Sequence, residues 1–269
     1  MYTVIGGQGF IGTSIVKLLE MKNYTVWVPK KEDQTLYERN LGTVIYAAGY
    51  GDCKNQPLKV LDSNLVNLVS IITKAKFDKF IYISSTRLYM NQDGSTESCD
   101  LKICTDDERS LFNLTKLTAE NILLQTIKKS IVVRPSNVYG LALDSPLFLP
   151  SIVRDAINNG KVDMYVSKEY AKDYVSVDDV AEAIYQLSKA ENLADRIFNI
   201  ASGFNVTANQ IAKVLKEETG CTIYWHGSVV NEVFPKTNID RITKMNHYRP
   251  KNVLLDLKSM INKYKSSLV

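Results

Sequence analysis

Met1-Tyr-Thr-Val-Ile-Gly-Gly-Gln-Gly-Phe-Ile-Gly12 is the stretch on which the fold turns. Met1 to Ile5 is a short apolar run of strand type, glycines follow at 6, 7, 9 and 12, and Ile15, Val16, Leu18 and Leu19 then carry helical spacing. Strand, glycine turn and helix start in this order suit a dinucleotide. Gly6 lets the chain turn tightly out of the strand, Gly9 removes a Cβ where a pyrophosphate must approach the backbone, and Gly12 lets the helix pack closely on the sheet. The pyrophosphate would rest on free N–H groups at the helix N-terminus. A glycine-rich turn can also be a plain tight connection; the strand before it and the amphipathic helix after it favour the nucleotide.

The helix runs to about Asn23, and Tyr24 to Val28 is a second strand leading into Pro29-Lys30-Lys31. Sites of this kind that select NAD place an acidic residue there for the adenosine ribose. Positive charge at Lys30 and Lys31 instead suits a 2′-phosphate and predicts NADP. An exposed lysine pair is also ordinary surface, and Glu32 and Asp33 lie close enough to keep NAD open. Thr43 to Gly49 is the next buried strand, too soon after the second to leave room for a complete crossover unit, so the nucleotide half is abbreviated between its second and third strands. Helical spacing returns from Leu61 to Ala75, then the strand Phe80 to Ile83 enters Ser84-Ser85-Thr86-Arg87-Leu88-Tyr89. Alternating strands and helices predict a parallel sheet covered on both faces.

With 269 residues, 45% hydrophobic and 23% charged, the chain has ordinary globular composition. A net charge of +4 with scattered basic residues does not suggest nucleic acid. No stretch approaches the length of a membrane span, and Met1 lies inside the first strand, which predicts a cytoplasmic protein without a signal peptide. Cys53, Cys99, Cys104 and Cys221 lack metal-ligand spacing, and the histidines are His226 and His247 alone, so free thiols and no metal are expected.

Seven motifs then occur in one order: Gly6 to Gly12, Ala47-Ala48-Gly49, Asn64, Ile83 to Tyr89, Thr115-Lys116-Leu-Thr-Ala-Glu120, Arg134-Pro-Ser136-Asn137-Val-Tyr-Gly140 and Lys172-Asp-Tyr-Val-Ser-Val-Asp-Asp-Val180. Together they closely resemble the extended short-chain dehydrogenase/reductases, the NAD(P)-dependent epimerase/dehydratase family acting mostly on nucleotide sugars. The likeness spans the whole chain. It implies cofactor contacts at Gly6, Gly9, Phe10, Ile11, Gly12, Lys30, Lys31, Ala47, Ala48, Asn64, Lys116 and Ser136. It further implies substrate contacts at Ser85, Arg87, Asn137 and Lys172, catalytic roles for Ser85 and Lys116, and a homodimer. Lys172 stands where the family has an arginine for the substrate diphosphate; it keeps the charge but gives up the two-pronged bond.

One position breaks the pattern. The family's general acid/base is a tyrosine four residues before the lysine, and here that residue is Phe112. A proton must reach or leave the substrate oxygen whenever hydride leaves or reaches its carbon, and a phenol beside an ammonium can carry it near neutral pH. Phe112 cannot. Either another group acts, with Tyr89, Tyr139, Thr86 and Cys104 as hydroxyl and thiol candidates, or the redox cycle is lost; a tyrosine-to-phenylalanine replacement, inherited or engineered, would leave the same sequence.

Farther on, Phe148 to Asn158 and Val180 to Ser188 are predicted helices, the second capped by Asp178 and Asp179. Val162 to Val166, Arg196 to Ile200 and Ile223 to His226 are predicted strands, Thr207 caps a helix from Ala208 to Thr219, and the basic amphipathic tail from Val253 to Val269 is predicted to turn its apolar stripe to the core. The expected architecture is α/β: a doubly wound parallel Rossmann sheet over residues 1–140, with 174–202 returning to it, and a small substrate lobe over 141–269. The expected activity is that of a reductase or epimerase on a nucleotide sugar. The alternatives are a member that binds nucleotide but is catalytically silent, or a dehydratase-like enzyme led by another base.

Overall fold

Strand β1 (Tyr2–Ile5) is buried at every position because neighbours flank both of its edges and helices cover both of its faces. This emerges from a computed structural model that describes residues 1–31, 33–141, 147–227, 232–246 and 248–267, apart from the side chains of 246 and 267. The strand order of the main sheet is β2-β1-β3-β4-β5-β9, with β2 (Val26–Trp27), β3 (Thr43–Tyr46), β4 (Lys79–Ile83), β5 (Ser130–Pro135) and β9 (Ile197–Ile200). Every pairing in it is parallel. The chain moves from β1 outward to β2, then returns across β1 to β3. That reversal opens a crevice at the carboxyl ends of the strands, where open α/β sheets bind ligands.

One face of the sheet is covered by α1 (Phe10–Met21) and α6 (Val177–Lys189), whose buried Ile15, Leu19, Val180 and Ile184 pack with Ile45, Ile81 and Val133. The other is covered by α3 (Asn67–Lys74) and α4 (Ser110–Thr126), through Leu68, Ile71, Ala119 and Leu123 against Val44, Phe80 and Val132. Alternate residues of each strand serve opposite faces, so the strand sequences read as continuous apolar runs.

Several predicted elements are shorter here. As an edge strand, β2 pairs only at Val26 and Trp27, and Gln34–Tyr37 is a single 3-10 turn where a full crossover helix would otherwise stand. β3 stops at Tyr46, because Ala47 and Ala48 bend to pack against the glycine turn. The helical run after β3 is longer than its spacing predicted. It starts with α2 (Pro57–Leu61), whose proline occupies the first turn, and passes through one π-helical turn at Asp62–Val66 into α3.

The second lobe has its own core. Helix α5 (Phe148–Asn158), α7 (Ala208–Thr219) and α9 (Val253–Ser267) enclose Leu149, Ile152, Ile211, Leu215, Leu257 and Ile261 with Val162 and Met164 of β7 (Lys161–Met164). The tail stripe at Leu257, Met260, Ile261 and Tyr264 is indeed buried. Two small sheets complete the lobe: β6 (Asn137–Tyr139), β8 (Ala171–Ser176) and β10 (Asn205–Thr207), and β7 paired with β11 (Thr222–Trp225). Thr207 caps α7 in a reciprocal capping box with Gln210.

The cap of α6 requires a correction. Ser176, not Asp178 or Asp179, is the capping residue; its Oγ accepts from the backbone N–H groups of both aspartates at 3.2 and 3.3 Å. The aspartates sit inside the first turn, where negative charge complements the helix dipole, and both grip Lys251: Asp178 through Nζ and Asp179 through the backbone N–H, each at 2.8 Å.

Candidate active site

The glycine turn is built for close backbone contact. Gly6 has φ of 79°, the left-handed region, and a Cβ there would lie 2.6 Å from Ala48 N. Gly12 differs from its sequence assignment: its missing Cβ makes room for the carbonyl of Gly6, which would be 2.2 Å away, so the helix packs on the turn itself rather than on the sheet. Gly9 is the open one. The nearest atom to a Cβ there is Gly6 O at 3.3 Å, and Phe10, Ile11 and Gly12 present the first-turn N–H groups that lack intrahelical partners. A cavity of about 410 Å³ opens beside this turn, lined by Gly6, Gly7, Val28, Pro29, Lys30, Lys31, Asp33 and Ala48. Asp33 is engaged locally, its Oδ1 accepting from Thr35 N at 3.0 Å and Thr35 Oγ1 at 2.7 Å. Glu32 lies outside the described residues. Ala47 is fixed by its N–H to Ile5 O at 2.8 Å.

Asn64 stands at the π turn, which rotates it inward to zero exposure. Its Nδ2 donates to Tyr50 O and Thr115 Oγ1, each at 3.1 Å, and its Oδ1 accepts from Tyr50 N at 3.0 Å. It therefore ties the loop after β3 to α4, next to Lys116, and both hydrogens of its amide are used on protein.

Lys116 projects from α4 under the end of β4. Its Nζ donates to Ile83 O at 2.8 Å, lies over the Tyr82 ring at 4.8 Å from the centroid, and is 4% exposed as a residue. Burial lowers its pKa to about 8. Ser85 caps the 3-10 turn Thr86–Tyr89: its Oγ accepts from Arg87 N at 3.1 Å, leaving its O–H free to donate outward. Ser84 Oγ, one residue earlier, is buried without a hydrogen-bond partner among the described residues. Phe112 has its ring between two cations, with the Arg109 guanidinium 4.7 Å and Lys116 Nζ 5.8 Å from its centroid.

The hydroxyl and thiol candidates separate clearly. Tyr89 is buried, accepts from Arg134 Nη1 at 2.6 Å and donates to Asn199 Oδ1 at 2.9 Å, and burial pushes it up to about 12. Tyr139 donates to Asp256 at 2.9 Å, in the second lobe. Cys104 contacts Asn91. Thr86 alone lines the same pocket as Ser85.

That pocket, about 140 Å³, is bounded by Ser85, Thr86, Arg87, Arg109, Ser136, Asn137, Lys172 and Phe234. Arg87 donates to Asp107 Oδ1 and Glu232 Oε1, both at 2.7 Å. Glu232 Oε2 also accepts from Tyr170 OH at 2.7 Å and Lys172 Nζ at 3.2 Å. Burial would raise the Glu232 carboxyl, but Tyr170, Lys172 and Arg87 overcome it and hold it at about 2.

Ser136 and Asn137 answer to a residue the sequence did not single out. Asp173 Oδ1 accepts from Ser136 Oγ at 2.6 Å and Ser202 N at 2.9 Å, its Oδ2 accepts from Gly203 N at 2.7 Å and Phe204 N at 3.1 Å, and its carbonyl accepts from Asn137 Nδ2 at 2.8 Å. The signal was present beside Lys172 in a quoted motif, but only folding brings the turn after β9 onto it. Arg109, Asp107 and Glu232 lay in segments without a motif.

A larger cavity of about 820 Å³ runs from Gly9 and Phe10 past Tyr139 to Lys251 and Lys263. It does not reach Ser85. Among the described residues no group of three or more histidine, cysteine or acidic side chains could hold a metal, and no helix is long and apolar enough to cross a membrane.

The model of the NAD dependent epimerase/dehydratase family matches residues 2–201. UDP-glucose 4-epimerase of Vibrio cholerae is 23% identical over 280 residues, covering 88% of this chain and 84% of the relative. Among solved structures, MoeE5 in complex with UDP-glucose and NAD matches with a TM-score of 0.87 at 20% identity, over 100% of this chain and 99% of that one. RMD from Pseudomonas aeruginosa complexed with NADPH matches with a TM-score of 0.80 at 18% identity, over 99% and 100%.

Proposed function

The chain belongs to the NAD dependent epimerase/dehydratase family, and from that premise we propose that it is an NAD(P)-dependent reductase or epimerase of a nucleotide-activated sugar, with Phe112 at the acid/base position. One observation carries this: Lys116 is buried and fixed on Ile83 O at the end of β4, two residues before Ser85 in the chain, and lies against Gly49, at the crevice that begins with the glycine turn. The residues present fit a dinucleotide, since Gly9 leaves its surroundings open and a cavity of about 410 Å³ opens beside the glycine turn. Bound NAD(P) would supply reversible hydride transfer. Lys116 would hold the nicotinamide ribose and contribute positive charge, Ser85 would donate its hydroxyl to the sugar oxygen, and Lys172 would meet the diphosphate once Glu232 gives way.

A second reading, a chain that binds nucleotide without turning it over, is favoured by the Phe112 ring and by the engagement of Tyr89, Tyr139 and Cys104 elsewhere. A dehydratase-like step needs a free base, and Asp107 and Glu232, the carboxylates that meet Arg87, are both held in ion pairs with it. A homodimer is supported by exposed Leu58, Leu61, Val66 and Leu114 on α2, the π turn and α4, which pack side by side. Incubating the protein with NAD(P) and candidate nucleotide sugars, and following the cofactor by absorbance and the sugar by NMR, tests the assignment; no conversion of any sugar in the presence of tight cofactor binding would favour the second reading.

Two binding results are expected. Gly9→Val should keep the fold, because only a small shift relieves its contact with Gly6 O. It should nevertheless weaken cofactor binding by at least about a hundredfold, as a pyrophosphate pushed from the helix start loses charge-assisted bonds of about 1.5–3 kcal/mol each. Equal affinities by calorimetry would remove the glycine turn from the site.

NADP(H) should bind more than about tenfold tighter than NAD(H), since Lys30 and Lys31 line the cavity at the end of β2 and a single charge-assisted contact accounts for that ratio. Lys30→Ala and Lys31→Ala should erase the preference. A preference for NAD unaffected by either change would make the pair ordinary surface.

A further inference from the structure

Glu232 stands where two cavities meet. Besides the pocket at Ser85, a cavity of about 310 Å³ opens in the second lobe among Leu149, Pro150, Val166, Tyr170 and Tyr174, and Asn137 and Lys172 line both. A molecule extending through the two therefore passes Lys172. The Glu232 carboxylate is bound there across the cleft: Arg87, in the turn after β4, donates to Oε1 at 2.7 Å, while Tyr170 and Lys172, in the second lobe, donate to Oε2 at 2.7 and 3.2 Å. These three are the donors that an anion of the ligand would meet at the junction.

The carboxylate is delivered by an anchored segment. Val233 exchanges two hydrogen bonds with Asn91, its carbonyl accepting from the Asn91 N–H at 2.8 Å and its N–H donating to Asn91 Oδ1 at 2.7 Å. Asn205 Nδ2 donates to Phe234 O at 2.9 Å, and Ser95 Oγ donates to Lys236 O at 2.8 Å. A backbone fixed in this way keeps the carboxylate at high effective concentration beside its partners. The side chain is not sealed in, however: it is 25% exposed and the neighbouring Val233 is 67% exposed, so rotation of Glu232 alone carries its charge into water. Arg87 keeps Asp107 at 2.7 Å whichever anion it holds, so an exchange leaves no guanidinium uncompensated. The Glu232 carboxyl, held at about 2 by its partners, is ionised at neutral pH, and what replaces it is an anion as well.

We propose that Glu232 is an internal competitor of the substrate: it fills the diphosphate position in the free protein and is exchanged for the diphosphate when a nucleotide sugar binds. The proposal rests on the nucleotide-sugar assignment above and adds a conformational equilibrium to it. The junction of two cavities suits a diphosphate, because that group joins the two halves of a nucleotide sugar. A site whose open form is a small fraction of the population binds its ligand more weakly by that fraction. Removing the competitor should therefore tighten binding. Removing a residue that merely positioned Arg87 and Lys172 would do the opposite.

The test is calorimetric titration of the full chain, saturated with NADP, with UDP, dTDP, GDP, ADP and CDP, and with inorganic pyrophosphate. Glu232→Gln keeps the size of the side chain and removes its charge. For the nucleoside diphosphate that binds, this change should raise the affinity about tenfold to a hundredfold, the range of one charge-assisted contact. Asn91→Gly, at a residue with φ of 57°, keeps the carboxylate and loosens the segment that presents it. It should raise the affinity about threefold to tenfold, the range of one neutral hydrogen bond, and gives a result even if Glu232→Gln folds poorly. Unchanged or weaker binding by Glu232→Gln, or by Asn91→Gly where the first variant does not fold, would overturn the proposal. If no nucleoside diphosphate binds either protein, the nucleotide-sugar assignment fails and pyrophosphate decides the exchange. Tighter pyrophosphate binding by Glu232→Gln than by the unaltered protein would uphold it, and equal or undetectable binding in both would overturn it too.

Discussion

Phe112→Tyr should raise the single-turnover rate of NAD(P)H oxidation on a suitable nucleotide sugar by about 10² to 10⁴, the range expected of one positioned general acid/base. The phenol would extend from a ring already held 5.8 Å from Lys116 Nζ and 4.7 Å from the Arg109 guanidinium. Nearby positive charge favours the phenolate, so the new group would titrate closer to neutral pH than an ordinary tyrosine. Ser85→Ala and Lys116→Ala should each lower the rate of the Phe112→Tyr protein. If Phe112→Tyr gives no gain and the other two changes no loss, the family's catalytic roles do not apply, and a binding-only chain becomes the better account.

A second large effect is expected far from the chemistry. Arg134 of β5 and Glu120 of α4 form a bidentate pair at 2% and 1% exposure, and Arg134 also donates to Tyr89, which bonds Asn199. Removing one partner leaves the other charge buried and uncompensated, so Glu120→Ala should lose about 3–5 kcal/mol of unfolding free energy in urea titrations. The double change Glu120→Leu with Arg134→Met should recover most of that loss, because it removes the charges together. A loss under about 1 kcal/mol for Glu120→Ala would mean that solvent reaches Arg134.

The fold was legible where local signals agree with packing. The glycine turn, the apolar strands and the capping box at Thr207 are short-range features, and each stands close to its predicted place. Boundaries drifted where tertiary contacts decide: β2 is cut short by its position at the sheet edge, and the π turn that buries Asn64 has no signature in the spacing of Leu61, Leu65 and Leu68. Asp178 and Asp179 have the chemistry of caps, but Ser176, two and three residues earlier, occupies the capping position. Ser85, Lys116 and Lys172 could be named from the sequence because they lie inside motifs, and Phe112 because it stands four residues before Lys116. Asp107, Arg109, Asp173 and Glu232 were not singled out, since folding alone brings them together: Arg87 pairs with Glu232 across 145 residues, and Asp173 receives the backbone N–H groups of Ser202, Gly203 and Phe204.

The carboxylate of Asp173 has a mechanical consequence. It belongs to β8, in the second lobe's sheet, yet it grips Ser136 at the end of β5 and three consecutive backbone N–H groups after β9, both at the rim of the main sheet. A single buried side chain thus rivets the two lobes at the point where the chain passes from one to the other. Neither lobe can melt without stripping the other of hydrogen bonds that water cannot replace at that depth. Heating should therefore show one calorimetric transition, and a fragment cut near Gly140 should not hold its structure alone.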